Sequence, residues 1–473
     1  MLSRPQPIGI FPFPAGLLLL PPSTSPAAAA ARATLMRGGT PDEWPAEWHF
    51  FAQALAGDRE GALSTLAAGT DDEDAVASYN RFVLDGESTA LERARGSRSA
   101  DVRALADVAA FVQGAIDLPP SIATLDGEFV AVVRLAQAAW HIERDEAEHA
   151  AGVLEEGIRA AMGASPVLAS QLQSQRAQVL PTATLAIEAW RDAVRLAEGA
   201  QLPNLRADLT LGLALALHES AGAQRQRLVE AVNWYQEALR AGITIESRAE
   251  TFALVQNNLG LAYISMPMTS AGDKIRLAVA VQSFREALRV YTREAYPDQW
   301  TSAMLNMANA LQYLPSSHPQ ENLVEAVNAY EELLAVRNKA LDPVGHARLL
   351  ANQANALAHL GMFAPAIEKL TEARKLLSWH GEDDAASALL EQVERINAQM
   401  AAGVGASDGA RTPRMPPSRL GRERDAAARA PAVRLLPQRG DRALRRSGGT
   451  TMRWPRPSPG APARRPERGG GLA

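Results

Sequence analysis

The chain has 473 residues, with 48 basic and 53 acidic side chains, 47% hydrophobic residues, 5% aromatic residues and no cysteine. That composition excludes disulfides, thiolate catalysis and cysteine-ligated zinc, and no apolar run reaches the length of a membrane-spanning helix. Charge is unevenly spread: residues 36–400 carry 30 basic and 48 acidic side chains, a field that repels nucleic acid and favours neutral or basic protein segments.

Residues 1–41 are rich in Pro and Ala. The apolar stretch Ile8 to Leu20 follows Arg4 and has the outline of a secretory signal. Pro12, Pro14, Pro21 and Pro22 break the helix that such a signal needs. The segment is expected to be a disordered extension, with Met36 as an alternative start. From residue 42 to 200 the pattern is helical. Phe50-Phe51-Ala52 to Ala62-Leu63-Ser64-Thr65-Leu66 predicts a hairpin turning at Gly57-Asp58. Residues 75–116 are helical without an alignable repeat. Ala138-Ala139-Trp140 to Leu154-Glu155-Glu156-Gly157 predicts a second hairpin turning near Arg144-Asp145. Leu185 to Ala193 places Trp190 at the centre of a further helix.

From residue 201 to 400 the chain repeats itself. Thr210-Leu211-Gly212-Leu213-Ala214-Leu215 returns as Asn258-Leu259-Gly260-Leu261-Ala262-Tyr263. It returns again as Asn306-Met307-Ala308-Asn309-Ala310-Leu311 and as Asn352-Gln353-Ala354-Asn355-Ala356-Leu357. The small residue steps from 212 to 260, 308 and 354, a period of 48, 48 and 46. Periods in this range mark stacked helical arrays. A second helix follows in each copy, with Ala231, Ala280, Ala326 and Ala366 four residues before Tyr235, Phe284, Tyr330 and Leu370. Small residues let helix axes approach to about 8 Å, and the large residue fills the gap toward the next pair. Asp384 to Gln399 predicts a terminal helix that covers the last apolar face.

These residues resemble the tetratricopeptide repeat (TPR). The last copy is the nearest to the family pattern, with a turn at Gly361, Phe363 two residues on, and Ala366 twelve residues after Ala354. In the other three copies the small residue and the second-helix Ala lie 19, 20 and 18 residues apart. The extra residues, including 265–272 and 314–319, are expected to form long turns at one edge. The stretch Tyr291 to Trp300 is similar to a bacterial long-repeat subfamily that often accompanies a caspase-like protease domain, which this chain lacks. The resemblance implies an all-α fold, a right-handed α-solenoid of antiparallel helix hairpins with disordered termini.

Residues 401–473 hold 16 Arg, 5 acidic residues and 10 Pro. Such a tail cannot bury enough apolar surface to offset its chain entropy. It reads either as a basic arm for nucleic acid or an acidic partner, or as what a GC-rich gene yields past its natural end.

The sequence offers no catalytic constellation, cofactor motif or metal site that stands out. His141, Asp145 and His149 have ligand spacing on one continuous helix, but a turn at 144–146 would make them diverge. Gly405-Ala406-Ser407-Asp408-Gly409 lacks the strand and helix that a nucleophile elbow needs, and Gly469-Gly470-Gly471 precedes no helix. The resemblance places the first helices along a concave groove. Asn258, Asn306, Asn309, Asn352 and Asn355 sit there at matching positions, and Arg348 lies one turn before Asn352. An amide both donates and accepts, so this row can clamp a peptide backbone or hold the stack together. The expected function is a non-enzymatic, cytoplasmic scaffold or adaptor that binds a neutral or basic protein segment. A peptide-responsive sensor is the alternative, and an enzyme with a site assembled across the array a remote one.

Overall fold

The computed structural model describes residues 2–68, 74–122, 125–202, 204–267, 275–315 and 318–406. Among these residues there are nineteen α-helices and no strand. They divide into two compact units: unit 1 runs to Ser220 and includes Asn233–Gly242, and unit 2 comprises Ala221–Val232 and the chain from Ile243.

Unit 1 holds α1 (Ala28–Met36), α2 (His49–Leu55), α3 (Arg59–Ala68), α4 (Ala75–Asp85), α5 (Ser88–Arg95) and α6 (Ala100–Val112). There follow α7 (Gly127–Ile142), α8 (Ala147–Ala161), α9 (Pro166–Val179), α10 (Ala183–Leu196) and α11 (Leu205–Ala221). Helix α12 (Arg225–Arg240) has its first half in unit 2 and its second in unit 1. Unit 2 continues with α13 (Ile245–Ser265), α14 (Ile275–Leu288), α15 (Pro297–Leu311), α16 (Pro319–Val336), α17 (Pro343–His359), α18 (Phe363–Trp379) and α19 (Asp383–Ala406). From α4 to α10, and again from α13 to α19, each helix packs on the next in sequence. This is the TPR-like pattern of all-α helix hairpins.

Local chemistry starts and stops these helices. The side chains of Asp74, Ser99, Ser165, Thr182 and Asp342 accept from the N–H of Val76, Val102, Leu168, Leu185 and Gly345, which satisfies helix-start donors. Pro297, Pro319 and Pro343 open α15, α16 and α17, where a missing N–H costs nothing. The α2–α3 and α17–α18 hairpins turn at Gly57 and Gly361, both at positive φ (81° and 77°), as the sequence indicates. The long-turn expectation fails for one copy, and in the other two it falls partly on residues outside the described ones. Residues 266–274 and 312–318 link α13 to α14 and α15 to α16, but only 222–224 separate α11 from α12. In that copy the extra residues lengthen the helices themselves. Residues 268–274 and 316–317 of the two long links lie outside the described residues.

The small residues do what their spacing implies. A Cβ added to Gly260 would lie 2.7 Å from the Phe284 ring, and one added to Gly212 would lie 2.4 Å from the Trp190 ring. Phe284 and Tyr330 are fully buried in a core shared by α13 to α17. At the end of the array, Ile396 of α19 packs with Ala354, Leu357, Ala366 and Leu370, so α19 covers the last hairpin.

The N-terminus overturns the expectation of a disordered extension over residues 1–41. Ile8 and Leu17 to Leu20 are fully buried in unit 1, and α1 is a helix with Leu35 fully buried. The prolines do exclude a helix through residues 5–14. Burial needs only that each main-chain polar group find a partner, and side chains of unit 1 supply them. The Arg-rich stretch 407–473, with Ser407 and Gly469 to Gly471, lies outside the described residues.

Candidate functional site

In unit 2 the amide residues singled out by the repeat form a connected chain. Gln392 on α19 donates to Asn355 on α17 (3.3 Å), and Asn355 donates to Gln312, just after α15 (2.8 Å). Gln312 donates to the Tyr330 hydroxyl (2.5 Å), which donates to the Asn309 carbonyl (2.6 Å). Asn352 donates to the same Asn309 oxygen (3.2 Å). Burial holds the Tyr330 hydroxyl protonated well above its ordinary pKa, so its donor role persists at any working pH. Chains with aligned donors strengthen each link. The row therefore holds α15, α16, α17 and α19 together. It is also half-buried rather than sealed: Asn309, Asn352 and Asn355 each keep part of their surface in water. Each amide has more donor capacity than these bonds consume, although the Asn309 oxygen already accepts two.

The remaining candidates differ. Asn258 on α13 is half-buried. Asn306 is only 3% exposed, inside the stack and not on a groove surface, although Asn258 and Asn352 at the equivalent positions are half-buried. Arg348 is half exposed and lies 4.0 Å from Glu382, near the α18–α19 turn. The neighbouring Gln353 is buried and bonds Glu331 and the Val327 carbonyl on α16 (2.5 and 3.3 Å), which is a packing role.

The histidine triplet needs a correction. The expected turn is present between α7 and α8, with Asp145 at φ 58°, yet the side chains do not diverge. His141 and His149 stack with centroids 5.5 Å apart, and the His141 Nδ1 meets Glu146, not Asp145, at 2.6 Å. Among the described residues no group of three or more His, Asp or Glu is placed to hold a metal ion.

Unit 1 contains the constellation that sequence reading missed. Residues 4–21 fold back as a loop: the Gly9 N–H donates to the Gly16 carbonyl (2.7 Å), and the Gln6 side chain accepts from the Leu20 N–H and donates to its carbonyl (2.8 and 3.1 Å). Helix side chains grip the main chain of this loop. Asn80 on α4 accepts from the Leu19 N–H and donates to the Leu19 carbonyl, each at 2.8 Å. The Tyr79 hydroxyl donates to the Leu17 carbonyl (2.7 Å), Gln171 on α9 to the Ile10 carbonyl (2.9 Å), and the Trp48 indole to the Pro21 carbonyl (2.9 Å). At the leading end, Glu128 on α7 accepts from the Gln6 N–H (3.0 Å) and from two Arg4 nitrogens (3.0 and 2.7 Å). Exposed Asp126 also pairs with Arg4. Glu128 itself is 1% exposed. One signal of this site was available: α9 is polar in sequence (Ser170, Gln171, Gln173, Ser174) yet has no apolar stripe. All four residues are buried; Gln171 is the one that bonds the loop, while Ser170 and Ser174 bond carbonyls within α9 and Gln173 meets Asp192.

No family model matches this chain, and no curated protein does. Solved structures do resemble it. BtubC (BKLC) from P. vanneervenii matches at 18% identity over 61% of this chain and 96% of its own, with a TM-score of 0.28. A Rap protein complexed with competence and sporulation factor matches at 12% identity over 75% and 97%, with a TM-score of 0.34. The TPR2AB-domain:pHSP90 complex of yeast Sti1 matches at 16% identity over 57% and 100%, with a TM-score of 0.23. At these values the fold assignment rests on the helix pattern itself.

Proposed function

We propose that this protein is a non-enzymatic, cytoplasmic interaction scaffold of the bacterial long-repeat TPR type, which binds a protein segment along α13, α15 and α17. The observation that carries the reading is the half-buried amide row Asn309, Asn352 and Asn355. Amides wholly committed to packing would be sealed; these three are half-buried, and Asn309 on α15 and Asn355 on α17 occupy matching positions of the repeat. Asn258 extends the row by one helix. The acidic balance of residues 36–400 favours a neutral or basic segment.

A photo-crosslinking residue placed in turn at Asn258 and Asn352 tests this in cells. Adducts to a defined partner are expected at both positions and not at exposed Glu332 or Glu368 on the second helices. Equal labelling of both faces, or none at the row, removes the reading. Saturable adducts with a short peptide alone would instead favour a peptide sensor.

A further inference from the structure

A second site lies in unit 1, on observations independent of the amide row. Residues 4–21 are bonded to the helices as a ligand is bonded to a receptor. The bonds made to the main chain of this loop from outside it come from side chains: Asn80, Tyr79, Gln171, Glu128 and the Trp48 indole just before α2. In the other direction, the Arg4 side chain donates to the Asp126 carbonyl just before α7 (3.0 Å). The main-chain bonds of the loop are internal to it, as at Gly9 to Gly16, Gly16 to Pro12 and Leu18 to Ala15. Removal of the loop would therefore break no backbone ladder of the helices. The loop also carries its own shape through the Gln6–Leu20 clasp, and a pre-shaped ligand loses less freedom on docking.

Recognition is divided as in peptide complexes. Main-chain groups are read by amides and a hydroxyl, which gives affinity. Apolar side chains fill pockets: Phe11 meets Phe51 edge-on with centroids 6.0 Å apart. A Cβ on Gly9, at φ +77°, would lie 2.7 Å from Leu168 and 2.9 Å from Val132, so glycine is required there. Charge fixes the direction, with Arg4 over the Phe129 ring at 4.5 Å and between Glu128 and Asp126. Beyond Pro21 the chain leaves through exposed Pro22 and Thr24, which makes a tether.

We propose that the groove of α4, α7 and α9 is a binding site for a folded-back, proline-bearing apolar segment led by a basic residue, and that residues 4–21 are its tethered occupant. The occupant in trans is a partner segment of the same chemistry, which competes with the tethered loop. The site is closed while the loop is seated and open when it is displaced.

The full chain, carrying a specific protease site between Thr24 and Ser25, is folded intact and then cut. A fluorescent synthetic peptide of residues 2–24 is added in excess and held just below the melting temperature. Exchange is expected: the labelled peptide enters saturably, the cut fragment leaves, and helicity is unchanged. Arg4→Ala made in the peptide alone should weaken binding at least ten-fold, as should Gly9→Val, with the protein untouched. A scrambled peptide should not enter. Retention of the cut fragment until the helices melt would make the loop an integral part of the core and overturn the proposal. So would loss of helicity on departure of the fragment, or equal binding of the scrambled peptide.

Discussion

The Phe284 and Trp190 rings set the tolerance for single-atom changes in this array. Each sits against a glycine with less room than one methyl group needs. Alanine is worth about 1 kcal/mol more than glycine in a helix, but overpacking a fixed ring costs roughly 1–3 kcal/mol. Gly260→Leu should therefore lower stability by about 2 kcal/mol, and Gly260→Ala should fail to raise it; thermal unfolding followed by circular dichroism measures both. An unchanged melting curve for the Leu variant would contradict the register of the repeat. His218 gives a second residue-scale prediction. Its Nδ1 lies 3.2 Å from the buried Tyr235 hydroxyl, and desolvation by burial pushes its pKa down from 6.5 to about 4. The folded state thus prefers neutral His218, and the unfolded state binds more protons between these values. The stability it contributes is complete above pH 6.5 and is lost as pH falls toward 4. With allowance for its partial exposure, the loss is ~1–3 kcal/mol. His218→Gln should flatten that part of the melting-temperature profile; a slope identical to the parent protein would sink the assignment.

Among the elements, α19 and the N-terminal loop matter most, because each covers apolar surface that no neighbour can cover. Ile396 and Ala386 of α19 are buried against α17 and α18. Ending the chain after Gly381 would expose Leu370 and Leu377, which are buried in the intact protein. Each large apolar side chain contributes ~1.5–3 kcal/mol on burial. The shortened chain should unfold at lower denaturant, by about 3 kcal/mol or more, or associate through that face. Equal stability of the two forms in urea would show that α19 is no cap. At the other end, Arg4 neutralises the buried Glu128 carboxylate. Leaving a buried charge unpaired costs ~3–5 kcal/mol unless the loop moves out and lets water in. Arg4→Ala should therefore cost far more than Asp126→Ala, whose carboxylate is 82% exposed; urea melts of the two variants decide.

For the whole molecule, the two ends are expected to behave oppositely. Starting the chain at Met36 removes Ile8 and Leu17 to Leu20 from the core of unit 1. It should lower the melting temperature unless peptide 2–24 is returned in trans. Deleting residues 407–473 should leave helicity and melting intact, since that stretch combines abundant Arg and Pro with little apolar surface. A clear fall in melting temperature after the second deletion would show that the tail belongs to the fold.

From residue 201 to 400 the sequence alone pointed to the helices, their pairing and the places where they touch. Those depend on short-range periodicity: small residues at 212, 260, 308 and 354, a large one on the following helix, and glycine at the turns. It also pointed to Asn309, Asn352 and Asn355, because repetition makes matching positions visible. It could not tell Asn306 from Asn309, since which of two amides on one helix is sealed depends on what packs above them. Nor could it place residues 4–21. Their partners, Asn80, Glu128 and Gln171, lie 61 to 161 residues away and follow no repeat. A proline-rich apolar stretch reads as unstructured because its main chain forms no ladder. Only the tertiary structure brings the side chains that replace that ladder, and so turns the segment from an extension into the occupant of a groove.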